Sequence, residues 1–380
     1  MTTLTAKRIV ILSSNAGGGH MASAEAIRDA LESHYGQRVS VRIIDTLKEY
    51  APQPFDKTSE AYSIMIRSPQ FWQGFYDMGD GPRRAQFINR SLALYARRGS
   101  LKLLEEHPAD LFISTYSFAS APVLQAMAKL KLTTPFITVV TDIVTIPPIW
   151  FDQRTTLCFV PTEEAREQAV INGIELSKLT ITGLPVSKRF FPASAPKAQL
   201  KGELGWNPRR PAILVMAGGQ GVGPLGRIAT ALAPLNATII IICGKNTSLH
   251  ESLAAKTWPD NVLVQGFVGN MPDYMRAADL IVTKAGPSTI MEALNTHVPL
   301  MLYARLPGQE EGNVDFVVSR GAGVWTPDLD HLAATAALWL QKPELLQHFA
   351  RGAALASAPD AAHTIALAVG QTLELPEHAA

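Results

Sequence analysis

Two places in the chain carry the same local pattern, and together they leave few folds open. Arg8-Ile-Val-Ile-Leu-Ser13 is an apolar run that ends in Ser14-Asn15-Ala16-Gly17-Gly18-Gly19-His20, after which Met21 to His34 has apolar residues at helical spacing. The second half repeats it: Ala212 to Ala217 runs into Gly218-Gly219-Gln220-Gly221-Val222-Gly223, again ahead of a helical stretch. Strands apolar at successive positions are buried on both faces, as in a parallel sheet covered by helical crossovers. Strand, glycine turn and helix, used twice, predict an α/β chain with two parallel sheets.

Further short β-type runs fit that frame. Val39 to Ile44, Leu111 to Ser114, Phe136 to Val140, Leu157 to Val160 and Leu179 to Thr182 belong to the first series. Thr238 to Cys243, Val262 to Gln265, Leu280 to Thr283 and Leu300 to Tyr303 belong to the second. Between the series, Phe190 to Arg210 holds Pro192, Pro196 and Pro208 without clear periodicity and reads as a hinge. The expected lobes are 1–190 and 200–355. No fixed-period repeat is visible, which argues against a solenoid.

Composition sets the outer limits. With 380 residues, 47% hydrophobic and 18% charged, the chain can bury a real core and is neither disordered nor fibrous. Its 34 basic residues against 33 acidic ones give a net charge of +1, so nucleic acid is not an expected partner. Cys158 and Cys243 each sit in an apolar run and read as buried thiols in a reducing compartment. Met1 to Lys7 lacks an apolar leader, and no window offers about 20 apolar residues in a row, so the chain reads as cytoplasmic and not membrane-spanning.

Residues 50–100 break the pattern. Tyr50, Phe55, Tyr62, Phe71, Trp72, Phe75, Tyr76, Phe87 and Tyr95 crowd this stretch, and Arg83, Arg84, Arg90, Arg97, Arg98 and Lys102 follow with no acid between 83 and 102. Rings at headgroup depth with arginines on anionic phosphates describe an interfacial element, and rings packing the lobe with arginines in water describe an ordinary one.

The candidate chemistry lies in the turns. Gly17, Gly18 and Gly19 let backbone N–H groups approach a ligand at a helix N-terminus, and His20 is the group there that can take a proton near neutral pH, as a general base on an alcohol must. Gly219, Gln220 and Gly221 offer backbone donors to a pyrophosphate. In Thr283-Lys284-Ala285-Gly286-Pro287-Ser288-Thr289-Ile290-Met291-Glu292, Ser288 and Thr289 present amides and Glu292 can accept from a ribose diol. Gln309, Glu310 and Asn313 are vicinal-diol partners by type, and Asp142 ends a first-lobe strand. HExxH and GxSxG do not occur, which removes a zincin and an α/β-hydrolase triad.

Taken together, Ser14 to Ala26 (SNAGGGHMASAEA) resembles the opening of the monogalactosyldiacylglycerol synthase and processive diacylglycerol glucosyltransferase family. Asp279 to Leu294 with Pro307-Gly308-Gln309-Glu310-Glu311-Gly312-Asn313 resembles that family's nucleotide-sugar signature, and the likeness spans roughly residues 8–365. It implies the GT-B fold, two Rossmann-like lobes with parallel sheets facing across a cleft and a last helix, about 355–375, returning to the first lobe.

It also implies an inverting, metal-independent transfer of a hexose, galactose favoured over glucose, from a UDP-sugar to diacylglycerol, with no cofactor, on an anionic membrane surface at the inner face of the cell membrane. His20 and Asp142 would be catalytic. Gly219, Gln220, Gly221, Phe267, Ser288, Thr289, Glu292, Gln309, Glu310 and Asn313 would hold the donor, with Phe71, Trp72, Phe75, Arg83, Arg84 and Trp150 on the membrane or acceptor side. Asp142 orients either His20 or the acceptor.

One departure stands out: position 147 is Pro where the family usually has His, and a prolyl ring offers no hydrogen-bonding group. Another hydrophobic or isoprenoid-linked acceptor, or a silent nucleotide-sugar or lipid-binding protein, are the alternatives that this leaves.

Overall fold

The structure, a computed structural model, describes residues 6–15, 18–53, 81–192 and 195–376, with the side chains of 82, 83, 85 and 86 outside the description. The chain divides into two compact units. The first comprises Met1–Ser187, Pro307–Gln309 and Pro359–Ala380, and the second Lys188–Leu306 and Glu310–Ala358.

The first unit runs β1 (Lys7–Ser13), α1 (Gly19–Tyr35), β2 (Val39–Asp45), α2 (Thr46–Tyr50), α3 (Pro82–Tyr95), α4 (Arg97–Glu106), β3 (Leu111–Ser114), α5 (Ser117–Leu130), β4 (Phe136–Val139), β5 (Leu157–Val160), α6 (Glu163–Ile171) and β6 (Leu179–Ile181). Its strands form a parallel sheet in the order β2-β1-β3-β4-β5-β6. Alternation along the strands sorts the core into two layers. Ile9, Ile11, Ile113 and Val139 pack on α1 and on the chain's last helix, Ala361–Thr372, through Ile27, Leu31, Ile365 and Val369. Val10, Leu12, Phe112 and Phe136 pack on α4 and α5 through Leu103, Val123 and Met127.

The second unit runs α7 (Lys197–Glu203), β7 (Ala212–Met216), α8 (Leu225–Leu232), β8 (Thr238–Ile242), α9 (Thr247–Ala254), β9 (Val262–Gln265), α10 (Met271–Ala277), β10 (Leu280–Lys284), α11 (Pro287–Asn295), β11 (Leu300–Ala304), α12 (Glu311–Ser319), β12 (Gly323–Trp325), α13 (Leu329–Gln341) and α14 (Pro343–Leu355). Its parallel sheet has the order β12-β11-β10-β7-β8-β9. β7 and β8 are buried throughout, as their unbroken aliphatic sequence demands.

In each sheet the strand order reverses at one point: between β1 and β3 in the first, and between β7 and β10 in the second. There the loops at the carboxyl edge diverge and leave room for a ligand. The two glycine turns of the sequence follow β1 and β7, so each lies at a reversal point.

The stretch read as an aperiodic hinge contains α7, and the region read as poorly periodic contains α3 and α4. β12, three residues long, has too little sequence to announce itself. Among the described residues, no helix is long and apolar enough to cross a membrane.

Candidate functional site

In the first unit the reversal point is organised around His20, near the start of α1. Its ring is half-buried, packed edge-on against Tyr116 with centroids 5.2 Å apart and tilted against Trp150 at 6.1 Å. Nδ1 lies 2.6 Å from the Thr141 hydroxyl, just past β4. That hydroxyl also points at the Thr115 carbonyl, 3.5 Å away, which can only accept. A hydroxyl proton directed there would leave the ring proton on Nδ1 and the lone pair on Nε2, whereas one directed at Nδ1 would give the other tautomer. The Thr115 hydroxyl in turn reaches the His20 carbonyl at 3.2 Å, tying the helix start to the end of β3.

Burial lowers the His20 pKa from its ordinary 6.5, against the nearby Asp142 charge and the Thr115 backbone, which raise it. The imidazole is therefore neutral at pH 7 and able to accept a proton.

Asp142 is 5% exposed, and both carboxylate oxygens are engaged. The Trp150 indole N–H donates to Oδ2 at 2.7 Å, and the Gln309 amide donates to Oδ1 at 2.9 Å. Of the two roles open to Asp142 from sequence, orienting His20 by a direct hydrogen bond is taken by Thr141. Asp142 acts on His20 through its field. The turn that returns Trp150 to Asp142 starts at Pro147 (φ −57°), whose carbonyl accepts from the Trp150 amide at 3.0 Å. The residue that departs from the resemblance thus caps the short helix placing an indole on the carboxylate. Close by, a pocket of about 340 Å³ is lined by Asn89, Arg90, Gln125, Phe151 and Arg154 among others.

In the second unit the glycine turn after β7 is tight. Gly221 has φ +60°, and a Cβ there would lie 1.9 Å from the Cys243 carbonyl oxygen, so only glycine fits. The Gly221 amide donates to the Gly218 carbonyl at 3.2 Å and is spent inside the turn, so the expected phosphate donors shift to Gly219 and Gln220, which are at least partly exposed.

Across the reversal point, α11 begins at Gly286 with no side-chain cap. Its first-turn amides, Ser288 and Thr289 among them, have no helical partner, and the helix dipole favours an anion there. One turn on, burial alone pushes the Glu292 carboxyl up to about 8, so it is largely protonated at neutral pH.

Glu310 and Asn313 do different work from the diol contacts their residue types suggest. Glu310 is 2% exposed; Oε1 takes the Lys284 ammonium at 2.5 Å and Oε2 takes the Leu306 N–H at 2.8 Å. Such a buried carboxylate is held by its cation, since leaving it unpaired costs about 3–5 kcal/mol. Asn313, also 2% exposed, donates to the Ala285 carbonyl at 2.9 Å and fixes the chain just before α11. Gln309 groups with the first unit, on Asp142. Phe267 is 66% exposed beyond β9.

Gly17, Phe71, Trp72 and Phe75 lie outside the described residues, as does the Arg83 side chain. Gly18 and Gly19 lead directly into α1. Arg84 is exposed on α3, while Trp150 is buried and belongs to the Asp142 group. Sequence reasoning missed Thr141, Lys284 and Tyr303; each stands at the carboxyl end of an apolar strand, the one signal available. Among the described residues, no group of three or more His, Cys, Asp or Glu is arranged to hold a metal ion.

The comparisons agree with this architecture. Residues 20–186 match the family model described as monogalactosyldiacylglycerol (MGDG) synthase, and residues 212–364 match the glycosyltransferase family 28 C-terminal domain. Probable monogalactosyldiacylglycerol synthase 2, chloroplastic, of Oryza sativa subsp. indica is 36% identical over 351 residues, 89% of this chain and 74% of the relative. Monogalactosyldiacylglycerol synthase 3, chloroplastic, of Arabidopsis thaliana is 35% identical over 374 residues, 94% and 80%. The crystal structure of HepE from Anabaena in complex with UDP-glucose superposes with a TM-score of 0.58 at 16% identity, covering 97% of this chain and 99% of that one.

The fold is GT-B. The expected placement in the cytoplasm, at the inner face of the cell membrane, is corrected by these relatives, both of which are chloroplastic. Buried thiols fit any reducing compartment and could not distinguish one from another.

Proposed function

Because the chain belongs to the monogalactosyldiacylglycerol synthase family and is a glycosyltransferase of diacylglycerol, we propose that it transfers a hexose, galactose rather than glucose, from a UDP-sugar to the free hydroxyl of diacylglycerol at an anionic membrane surface. The observation that carries this reading is the His20–Thr141 contact, which leaves Nε2 of a neutral imidazole free to accept a proton.

In the proposed step, His20 Nε2 removes the acceptor proton while the oxygen attacks the anomeric carbon from the face opposite the leaving diphosphate. One displacement inverts the centre, so an α-linked donor gives a β-glycosyl lipid. Charge growing on the leaving phosphate meets the amides of Gly219 and Gln220 and the uncapped start of α11. These dipoles are fixed before reaction, and one such donor is typically worth about 3 kcal/mol. Glu292, one turn into α11, takes the ribose diol. Neither a resident metal nor a cofactor has a part in this scheme.

HepE, bound to UDP-glucose and sharing only the fold, supports a nucleotide-sugar donor. On the acceptor side, the pocket beside α3 is assigned to the glycerol end of the lipid. The membrane reading is supported by α3 itself, where Phe87 (72% exposed) and Leu94 (74% exposed) lie seven residues apart, on one helix face, with exposed Arg90 between them.

The test is incubation with radiolabelled UDP-galactose or UDP-glucose and vesicles containing diacylglycerol. A chloroform-soluble β-galactosyl lipid is the expected product. Transfer only to a different lipid, or tight donor binding with no turnover, would replace this reading.

A further inference from the structure

Lys284 ends β10 at the reversal point of the second sheet, beside β7 and its glycine turn. The ladder is irregular here: Thr283 pairs with Leu302 but Lys284 pairs with Ala304, so Tyr303 is an extra residue on β11. A bulge of this kind re-aims side chains, and in a parallel pair it is rare.

The two side chains it redirects converge on the glycine turn. The Lys284 Cε is 3.9 Å from where a Cβ on Gly218 would stand, and its Nζ is 3.1 Å from where one on Gly286 would stand. The Tyr303 hydroxyl is 2.5 Å from the Cβ position of Gly223. Tyr303 is 6% exposed, and its hydroxyl has no hydrogen-bond partner among the described residues. One unpaired phenol, one ammonium and the uncapped start of α11 therefore surround a turn built to let backbone come close.

Resting on the UDP-sugar reading above, we propose that Lys284 is the cation that binds the donor's diphosphate, held in place by Glu310, with the Tyr303 hydroxyl as a further donor to the same anion. An ammonium has three N–H donors. One goes to Glu310 Oε1, and the other two remain for phosphate oxygens. Glu310 is anchored at its second oxygen by the Leu306 N–H, so it fixes where the ammonium sits without following it outward. The Lys284 side chain keeps 22% of its surface, against 3% for Glu310, so the pair has one wet and one buried member, as a ligand-facing cation with a structural counter-ion requires.

Removing Lys284 alone strands a buried carboxylate, so the decisive variant is Lys284→Met combined with Glu310→Gln, which leaves no charge unpaired. Isothermal titration of the full chain with UDP, uridine and inorganic pyrophosphate reads the effect. The double variant is expected to lose at least tenfold in UDP affinity and to stop binding pyrophosphate, with uridine affinity within twofold of wild type. Tyr303→Phe is expected to weaken UDP severalfold and leave uridine alone, and Lys284→Arg to keep most of the UDP affinity. Wild-type UDP and pyrophosphate affinity in a folded double variant would overturn the assignment. A wild-type chain that binds pyrophosphate through Lys284 but not UDP would keep the cation and overturn the uridine donor, and binding of neither would overturn both.

Discussion

The Thr141 hydroxyl lies 2.6 Å from His20 Nδ1, while the Asp142 carboxylate one residue further on is bonded to Trp150 and Gln309. The hydrogen-bonding partner of the proposed base at Nδ1 is thus a threonine, and the proposed mechanism needs it to accept the Nδ1 proton. Thr141→Val keeps the shape and removes the hydroxyl. Turnover is expected to fall at least about tenfold, roughly 1.4 kcal/mol in the barrier, with UDP affinity and melting temperature near wild type. Thr141→Ser should restore most of the rate. Full activity in the valine variant would remove Thr141 from the account.

His20 has its pKa lowered below 6.5 by burial, so the base form persists as the pH falls. The acid limb of kcat/KM is expected below pH 6.5 and is lost with the residual activity of His20→Ala. A limb above 7 would assign the proton to another group.

Glu292 couples to pH in the opposite sense. Its carboxyl is raised from 4.5 to about 8 in the folded chain, so between those values the native state holds a proton that the unfolded state has released. Its contribution to stability is therefore complete below about 4.5 and is lost as the pH rises through about 8. Glu292→Gln does not titrate, so the two proteins should be nearly equal in unfolding free energy at low pH and the variant should become increasingly the more stable as the pH rises from about 4.5 to about 8. Ribose hydroxyls favour the ionised carboxylate, so UDP should bind more tightly at pH 8.5 than at 6.5 and release protons at pH 7. Titration in two buffers of different ionisation enthalpy measures that release, and zero release would end the ribose assignment.

At the membrane, sedimentation with vesicles containing phosphatidylglycerol should exceed that with phosphatidylcholine alone and weaken at high salt. Replacing Phe87 and Leu94 with Ser, or Arg84 and Arg90 with Glu, should reduce it severalfold. Equal sedimentation of the variants would leave α3 an ordinary surface helix.

The sheets were legible because buried parallel strands write themselves as unbroken aliphatic runs, as in Ile239 to Ile242. Strand ends were misjudged by a residue where polar residues continue the ladder, at Asp45 and Lys284. His20, Ser288, Thr289 and Glu292 could be placed at the ends of their strands and the starts of their helices because turn patterns are local. The partners of Asp142 and Glu310 could not, since Gln309 lies 167 positions from Asp142 and Lys284 lies 26 from Glu310. Residue type favoured diol contacts for Glu310 and Asn313, and their burial redirects them to an ion pair and to a backbone carbonyl. The bulge that leaves Tyr303 as an extra residue is a property of pairing, which no single strand records.

The measurement that bears most directly on the central claim is single-turnover transfer from a saturating UDP-hexose to diacylglycerol vesicles, wild type against His20→Ala, with UDP affinity measured on the same preparations. The account predicts a β-glycosyl diacylglycerol from wild type and a loss of at least about a hundredfold in the variant at nearly unchanged UDP affinity. Wild-type transfer by a chain without the imidazole would contradict it.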